Sequence, residues 1–371
     1  MSAISLRRTL DINAVTRLVA LTPGVTKLLL SEPGCGKTSV LRTVAEYHGD
    51  KWRDIKDRYP TDKFQYVYID APNTRDGDLF LNYPDKDTKT LEQWVTSLID
   101  FNDPRPKVIL VDEALKVLRY NKPLFTRLFL EYCVGNRKLP ENSIVLATSN
   151  NSGEGLGDSL GAHEADRITV INMAKPSADN WANGWASNNG ISSITRACVR
   201  MNPRVMASYM DGVTTKDNPY IYHPKTNPTS FVSPRSLALM DVYVRNRAVL
   251  GEDVTAAAIE GTTNPAFAQL LSSFIALEKE LIDPRKPLTD GENTPLPTNP
   301  AALLMLMYNM VDIIETQDEM TNAITYVTRA ESRDMQSVFM SMLADNNRTT
   351  KLGAMNAKVK DWMVKNHRIA R

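Results

Sequence analysis

The sequence predicts an α/β protein: a five-stranded parallel sheet sandwiched between helices, followed by a helical second region and a helical C-terminal extension. Three observations predict it. Between about residues 11 and 175, apolar runs of strand length alternate with helical patterns, as parallel strands joined by crossover helices require. A glycine-rich turn, S-E-P-G-C-G-K-T, joins the first strong apolar run to a helix. Beyond Pro176 the periodicity is helical throughout.

The strands are expected at residues 27–30, 65–70, 108–111, 144–148 and 168–172, each rich in Val, Ile or Leu. A helix over 39–47 follows the glycine-rich turn. Another over 123–132 carries Leu124, Phe125, Leu128 and Phe129 on one face. Residues 70–108 hold a long insertion, A-P-N-T-R-D-G-D-L-F-L-N-Y-P, with a helix expected around Trp94. Segments 181–201 and 233–250 suit a small helical domain. Residues 283–300 contain five prolines and read as a linker. Past them, Leu303, Leu306, Met307, Met310 and Ile314 recur at helical spacing. The expected domains are therefore 1–175 (core), 176–282 (helical lid), 283–300 (linker) and 301–371 (helical extension).

A chain of 371 residues exceeds what one hydrophobic core usually supports. Its net charge of +1 gives no global field to attract nucleic acid or a membrane. The three cysteines, Cys35, Cys133 and Cys198, are unpaired in spacing and speak against a disulfide framework or a zinc site. The four histidines are scattered. No apolar run suits a signal peptide or a membrane span, so a cytoplasmic protein is expected.

The glycine-rich turn reads as a phosphate-binding loop of residues 31–39. Gly34 and Gly36 let the backbone take positive φ and bring its N–H groups against phosphate oxygens, with the positive end of the next helix facing the same anion. Ser31 stands where the G-x-x-x-x-G-K-[ST] pattern has its first glycine, and Glu32, Pro33, Cys35 and Ser39 complete the cradle. Lys37 would reach the β- and γ-phosphates of ATP, and the Thr38 hydroxyl would ligate Mg²⁺. The fold expected is thus a P-loop NTPase.

The run V-I-L-V-D-E ends an apolar strand in two carboxylates at the sheet edge where open α/β sheets bind ligands. Asp112 would hold the metal through water and Glu113 would orient or deprotonate the attacking water. The run I-V-L-A-T-S-N brings Asn150 to the same edge, as a water-positioning amide or as an Asx turn closing the strand. Arg167 follows Asp166 and would either neutralise phosphate charge or form a local pair. Arg235, in the first turn of a helix, is unfavourable against the helix dipole unless an anion binds nearby.

The ordered series S-E-P-G-C-G-K-T, L-V-D-E-A, A-T-S-N, A-D-R-I and S-P-R-S, over about residues 10–250, resembles the AAA+ ATPases, and within them the MoxR family and its dynein-related relatives. The resemblance implies an AAA+ core and lid. It makes Asn150 the sensor 1 amide, Arg167 a finger toward the neighbouring subunit and Arg235 the sensor 2 arginine. Ile168 replaces the family's phenylalanine after that finger, and Ala-Leu-Lys follows Asp-Glu where MoxR proteins usually have Ile-Asn-Arg. Arg119, Arg127 and Arg137 are alternative donors to a neighbour.

The resemblance further implies a homo-oligomeric ring, of six in that class, that remodels a partner protein in a chaperone-like way. A von Willebrand factor A-domain protein is the kind of partner implied. It places an insert at residues 70–108 facing the ring's channel, where Phe80 and Tyr83 would grip substrate or else cover their own core. A second hairpin would have to fit the short segment 133–143. A nucleic-acid machine, such as a helicase or clamp loader or a DNA translocase, is the rival, favoured by the basic stretch from Arg348 to Arg371. A nucleotide-gated scaffold is a third reading. The methionines of the last third suit either a helical core or an adaptable binding face.

Overall fold

The computed structural model describes residues 8–50, 62–117, 121–150, 166–226 and 228–366. The chain forms two compact units, 1–175 and 176–371.

In the first unit the strands, in chain order, are β1 (Thr9–Leu10), β2 (Lys27–Ser31), β3 (Gln65–Asp70), β4 (Phe80–Asp85), β5 (Thr90–Val95), β6 (Lys107–Asp112), β7 (Cys133–Val134), β8 (Arg137–Lys138), β9 (Ile144–Asn150) and β10 (Thr169–Met173). Six of them make one parallel sheet in the order β1-β10-β2-β9-β6-β3. The five expected strands are all there. The sixth, β1, adds two residues at the β10 edge and is too short to leave a pattern in the sequence.

Two apolar layers cover the sheet, because successive residues of a strand face opposite sides. Val108 and Leu110 of β6 pack with Val15, Val19, Val40, Leu41 and Val44, from helices Ile12–Leu21 and Ser39–His48. Ile109 and Val111 pack the other way, with Phe125 and Leu128 of helix Lys122–Glu131. Strands buried on both faces read as continuous Val/Ile/Leu runs, which is why they were legible. The N-terminal edge of the sheet holds two buried lysines, Lys27 and Lys107. Their ammonium groups donate to the carbonyls of Thr22 and Asp103.

The insertion differs from expectation. Trp94 lies not on a helix but in β5, which pairs antiparallel with β4 around the turn at residues 86–89. Nor are Phe80 and Tyr83 loop residues: both sit on β4, and Phe80 packs against the sheet's core. Tyr83 and Trp94 share the opposite face with ring centroids 4.3 Å apart, and Leu81 and Trp94 there are largely exposed. The second hairpin, β7-β8, is minimal, turning through Gly135 and Asn136. Gly135 has φ +57° and its missing Cβ would sit 2.2 Å from Gln93 Oε1, which accepts the Asn136 N–H at 2.6 Å. The two hairpins are thereby joined.

The second unit is helical, with one contiguous core running from Ala178 to Trp362. Residues 181–201 hold a π-helical turn, Asn180–Ala186, and helix Ser193–Met201. Residues 233–250 hold helices Pro234–Arg245 and Arg247–Leu250. Segment 283–300, read as a linker from its prolines, contains helix Arg285–Thr289 with Pro287 and Leu288 buried. That helix packs on Gln317–Thr328 within the same unit. Pro300 opens helix Pro300–Ile313 at a position where proline's missing N–H costs nothing. Met305, Met307, Met310, Met340 and Met342 are core.

Two charges are buried in this core with partners. Asp241 accepts from the Ser192 amide and hydroxyl, from Thr195 Oγ1 at 2.6 Å and from Arg245 Nε at 3.0 Å. Arg196 pairs with Asp312 and lies 4.5 Å from the Tyr308 ring centroid. Burial drives the Asp312 carboxyl above its ordinary range despite that pairing.

Candidate functional site

The site is built where β2, β6 and β9 end. After Ser31 the chain turns through Gly34 (φ +74°) and Gly36 (φ +88°), conformations open to glycine at no steric cost. Helix Ser39–His48 then begins, with Thr38 as its N-cap residue. Ser31, Glu32 and Cys35 are buried under the loop, while Pro33, Gly34, Gly36, Lys37, Thr38 and Ser39 are half-buried along its rim. Ser31 suits its position physically: its hydroxyl and carbonyl both accept from Lys37 Nζ at 3.2 Å, an interaction that glycine's missing side chain would halve.

Lys37 Nζ also donates to the Glu32 carbonyl at 3.1 Å and to Asn150 Oδ1 at 2.8 Å. An ammonium has no acceptor, so the amide oxygen of Asn150 must face it. The amide NH₂ is then the group Asn150 offers to a water or phosphate oxygen. Strand register places this residue: Asn150 stands opposite Ser31 in the β2/β9 ladder.

Asp112 ends β6, level with Asp70 of β3. Its Oδ2 accepts from Thr38 Oγ1 at 3.1 Å and from the Tyr68 hydroxyl at 3.1 Å. Its Oδ1 accepts from the Glu113 amide at 3.1 Å and from Thr148 Oγ1. Burial, then the Asp112 carboxylate, push the Tyr68 phenol up to about 12, so it remains a neutral donor. Glu113 adopts the left-handed conformation (φ +53°, ψ +37°), uncommon for a residue with a side chain and a form of local strain that clusters at functional sites. Its carboxylate lies 2.9 Å from Lys116 Nζ in a half-exposed pair.

Lys37, Thr38, Asp112 and Asn150 are thus brought together by direct contact, and Glu113 joins them through its backbone. Arg167 is not: it is exposed just before β10, whose first residue pairs with Lys27 at the opposite edge of the sheet from the phosphate loop. Arg235 lies in the second unit, exposed in the first turn of helix Pro234–Arg245, where Ser233 and Ser236 form a reciprocal cap. Of the alternative donors, Arg127 is paired with Glu131 and the Gly135 carbonyl, Arg137 is exposed in β8, and Arg119 lies outside the described residues. The basic stretch that begins at Arg348 lies in the second unit. Arg348 itself donates to the Val311 carbonyl and Lys358 to Thr325 Oγ1, while the final residues of that stretch lie outside the described residues.

Sequence reasoning missed Tyr68, Thr148 and Lys116. Tyr68 and Thr148 sit in alternating strand positions that look like ordinary sheet residues. Thr148 had a positional signal, lying two residues before Asn150, a strand end already assigned to the site, whereas Tyr68 lies two residues before Asp70, the end of a strand to which no site role was given.

The oxygens of Thr38 and Asp112 fit a hard cation such as Mg²⁺, which is commonly held by one or two carboxylates together with nucleotide phosphates. Among the described residues there is no cluster of three or more His, Cys, Asp or Glu that could hold a metal by protein groups alone. Likewise, among those residues no helix is long and apolar enough to cross a membrane.

No family model matches this chain, and no curated protein is similar to it. Among solved structures it is similar to a RuvB mutant from Thermotoga maritima, at 14% identity and a TM-score of 0.35 over 75% of this chain and 71% of that one. It is also similar to NtrX from Brucella abortus in complex with ADP, at 12% identity and a TM-score of 0.33 over 96% of this chain and 68% of that one. Values this low assign neither a ligand nor an activity.

Proposed function

We propose that the chain is a Mg²⁺-dependent ATPase of the AAA+ class. The observation that carries this reading is the contact of Lys37 with Asn150 and of Thr38 with Asp112 at the mouth of a glycine-turned loop. A triphosphate seated there meets the Lys37 ammonium, the N-terminus of helix Ser39–His48 and the backbone N–H groups of residues 34–39. Mg²⁺, when bound, neutralises charge on the phosphates and would be held by Thr38 and, through water, by Asp112. Glu113 takes the proton of the attacking water, for which its carboxylate must leave Lys116. Asn150 aligns that water.

The finer reading is a MoxR-like ring, six-membered by class, that remodels a partner protein, with a von Willebrand factor A-domain protein as the candidate. Arg167 supports the ring: its place across the sheet from its own phosphate loop suits a neighbour's γ-phosphate. Arg235 would act from the second unit as the nucleotide sensor.

The test is mass photometry with and without ATP·Mg²⁺ on wild type, Glu113→Gln and Arg167→Ala, with phosphate release measured in parallel. The expected outcome is a nucleotide-dependent oligomer that Glu113→Gln traps, with turnover falling about 10² to 10⁴-fold in Glu113→Gln and about 10³-fold or more in Arg167→Ala. A monomer under every condition that still hydrolyses ATP after Arg167→Ala overturns the ring. Hydrolysis unchanged in Glu113→Gln overturns the assignment of the base.

A further inference from the structure

A carboxylate has about four lone-pair sites. Asp112 has four donors on them: Thr148 Oγ1 and the Glu113 amide on Oδ1, Tyr68 and Thr38 hydroxyls on Oδ2. Three of these four are fixed by the fold. Thr148 lies inside β9, flanked by sheet neighbours on both sides, and is fully buried. The Glu113 amide is main chain, locked next to the carboxylate it serves. Tyr68 sits on β3 opposite Leu110, two residues before the level of Asp112. Two residues of strand rise about 6.6 Å, a distance a tyrosine spans lengthwise and a shorter hydroxylated side chain does not.

Only Thr38 can exchange. It stands at a loop-to-helix junction, and its hydroxyl can turn from donating to Asp112 to offering a lone pair to a cation.

Building on the ATPase reading, we propose that Tyr68, with Thr148, is a cation-selecting residue: by occupying the other lone pairs of Asp112 it leaves one outward position, which admits a metal-bound water and excludes bidentate ligation. Mg²⁺ keeps several of its waters and accepts such a second-sphere carboxylate. Ca²⁺ prefers direct, often bidentate, carboxylate oxygens and finds none. Discrimination against the larger ion then resides in hydrogen bonds to the carboxylate and not in the size of a cage.

Tyr68→Phe keeps the ring and removes only the donor. Thr148→Val removes the donor on the other oxygen with little change in shape. The measurement is equilibrium binding of a fluorescent ADP analogue to the full chain in EDTA, in Mg²⁺ and in Ca²⁺, with thermal melting to confirm folding. Wild type is expected to bind more tightly in Mg²⁺ than in Ca²⁺. In Tyr68→Phe that preference is expected to fall about tenfold, the scale on which partners behind a ligand act on metal affinity, with binding in EDTA unchanged. Thr148→Val is expected to move the ratio the same way, and decides the matter if Tyr68→Phe does not fold.

An unchanged Mg²⁺/Ca²⁺ ratio in both folded variants overturns the proposal while leaving the ATPase reading in place. A loss of affinity equal in all three conditions also overturns it, showing that the hydroxyls shape the phosphate loop alone. If wild type binds no nucleotide under any condition, it is the ATPase reading that falls.

Discussion

Replacing Asn150 by aspartate and by alanine separates two functions that one side chain combines. In wild type the amide oxygen rests 2.8 Å from Lys37 Nζ and carries no charge. Aspartate keeps that acceptor and adds a full negative charge at the same point. At an effective dielectric of about 20, unit charges at that separation attract by about 6 kcal/mol. The rim of the phosphate loop is half open to water, so about half of this, roughly 3 kcal/mol, is a fair measure of the extra hold on Lys37. ATP must break that hold before the lysine can serve its phosphates. Nucleotide affinity in Asn150→Asp should therefore fall about 10²-fold.

Alanine makes no such claim on Lys37. Affinity in Asn150→Ala should stay within a few-fold of wild type, while turnover falls about 10² to 10³-fold for want of the amide that places the water. Titration of a fluorescent ATP analogue gives the first quantity, and single-turnover phosphate release gives the second. Wild-type affinity in Asn150→Asp would show that Lys37 does not serve the nucleotide from this position, and the reasoning would fail.

Three further outcomes follow from the fold. Lys27 is buried, and its ammonium is held down to about 8 by loss of water. The folded state therefore binds fewer protons than the unfolded state between pH 8 and 10.5. Stability should rise through that window by up to about 3 kcal/mol relative to Lys27→Met in paired urea melts, and a pH-independent difference would contradict it. Asp241→Ala removes the acceptor that holds Ser192, the N-cap of helix Ser193–Met201, and leaves Arg245 without its buried partner. A loss of about 3 kcal/mol is expected by chemical denaturation, against near-neutrality if the carboxylate is dispensable. Gly135→Ala, at positive φ and against Gln93, should cost about 1 to 3 kcal/mol and expose the Asn136 amide to hydrogen exchange.

What the sequence disclosed was whatever depends on short range. The strands of the first sheet are buried on both faces, so their apolar runs stood out, and the residues at their ends could be assigned before the sheet order was known. The loop from Ser31 to Ser39 was legible because its glycines, lysine and threonine act within a few residues of one another. Tyr68 and Thr148 were not, because their importance comes from β3 and β9 lying on either side of β6, a relation between segments about 40 residues apart in the chain.

The insertion misled for a different reason. In T-L-E-Q-W-V, apolar and polar residues do not alternate cleanly, since one face of that hairpin carries exposed Leu81 and Trp94 while the other is only partly covered. The turn residues 85–89, D-K-D-T-K, were the better signal. The prolines of 283–300 misled as well: two of them lie within or open helices, where φ near −65° is an asset.

The single bond from Asn136 to Gln93 makes one body of two hairpins that the chain lays down about 40 residues apart. Between them in the sequence runs β6, the strand that delivers Asp112. Editing either hairpin is therefore never a local change. Shortening β4-β5 deprives Asn136 of its acceptor, and enlarging Gly135 dislodges Gln93. A domain grafted onto the 86–89 turn would pull on a segment whose other anchor is helix Lys122–Glu131, through Arg127 and the Gly135 carbonyl. For anyone building a tagged or truncated form of this chain, the two hairpins are a single part and should be kept or removed together.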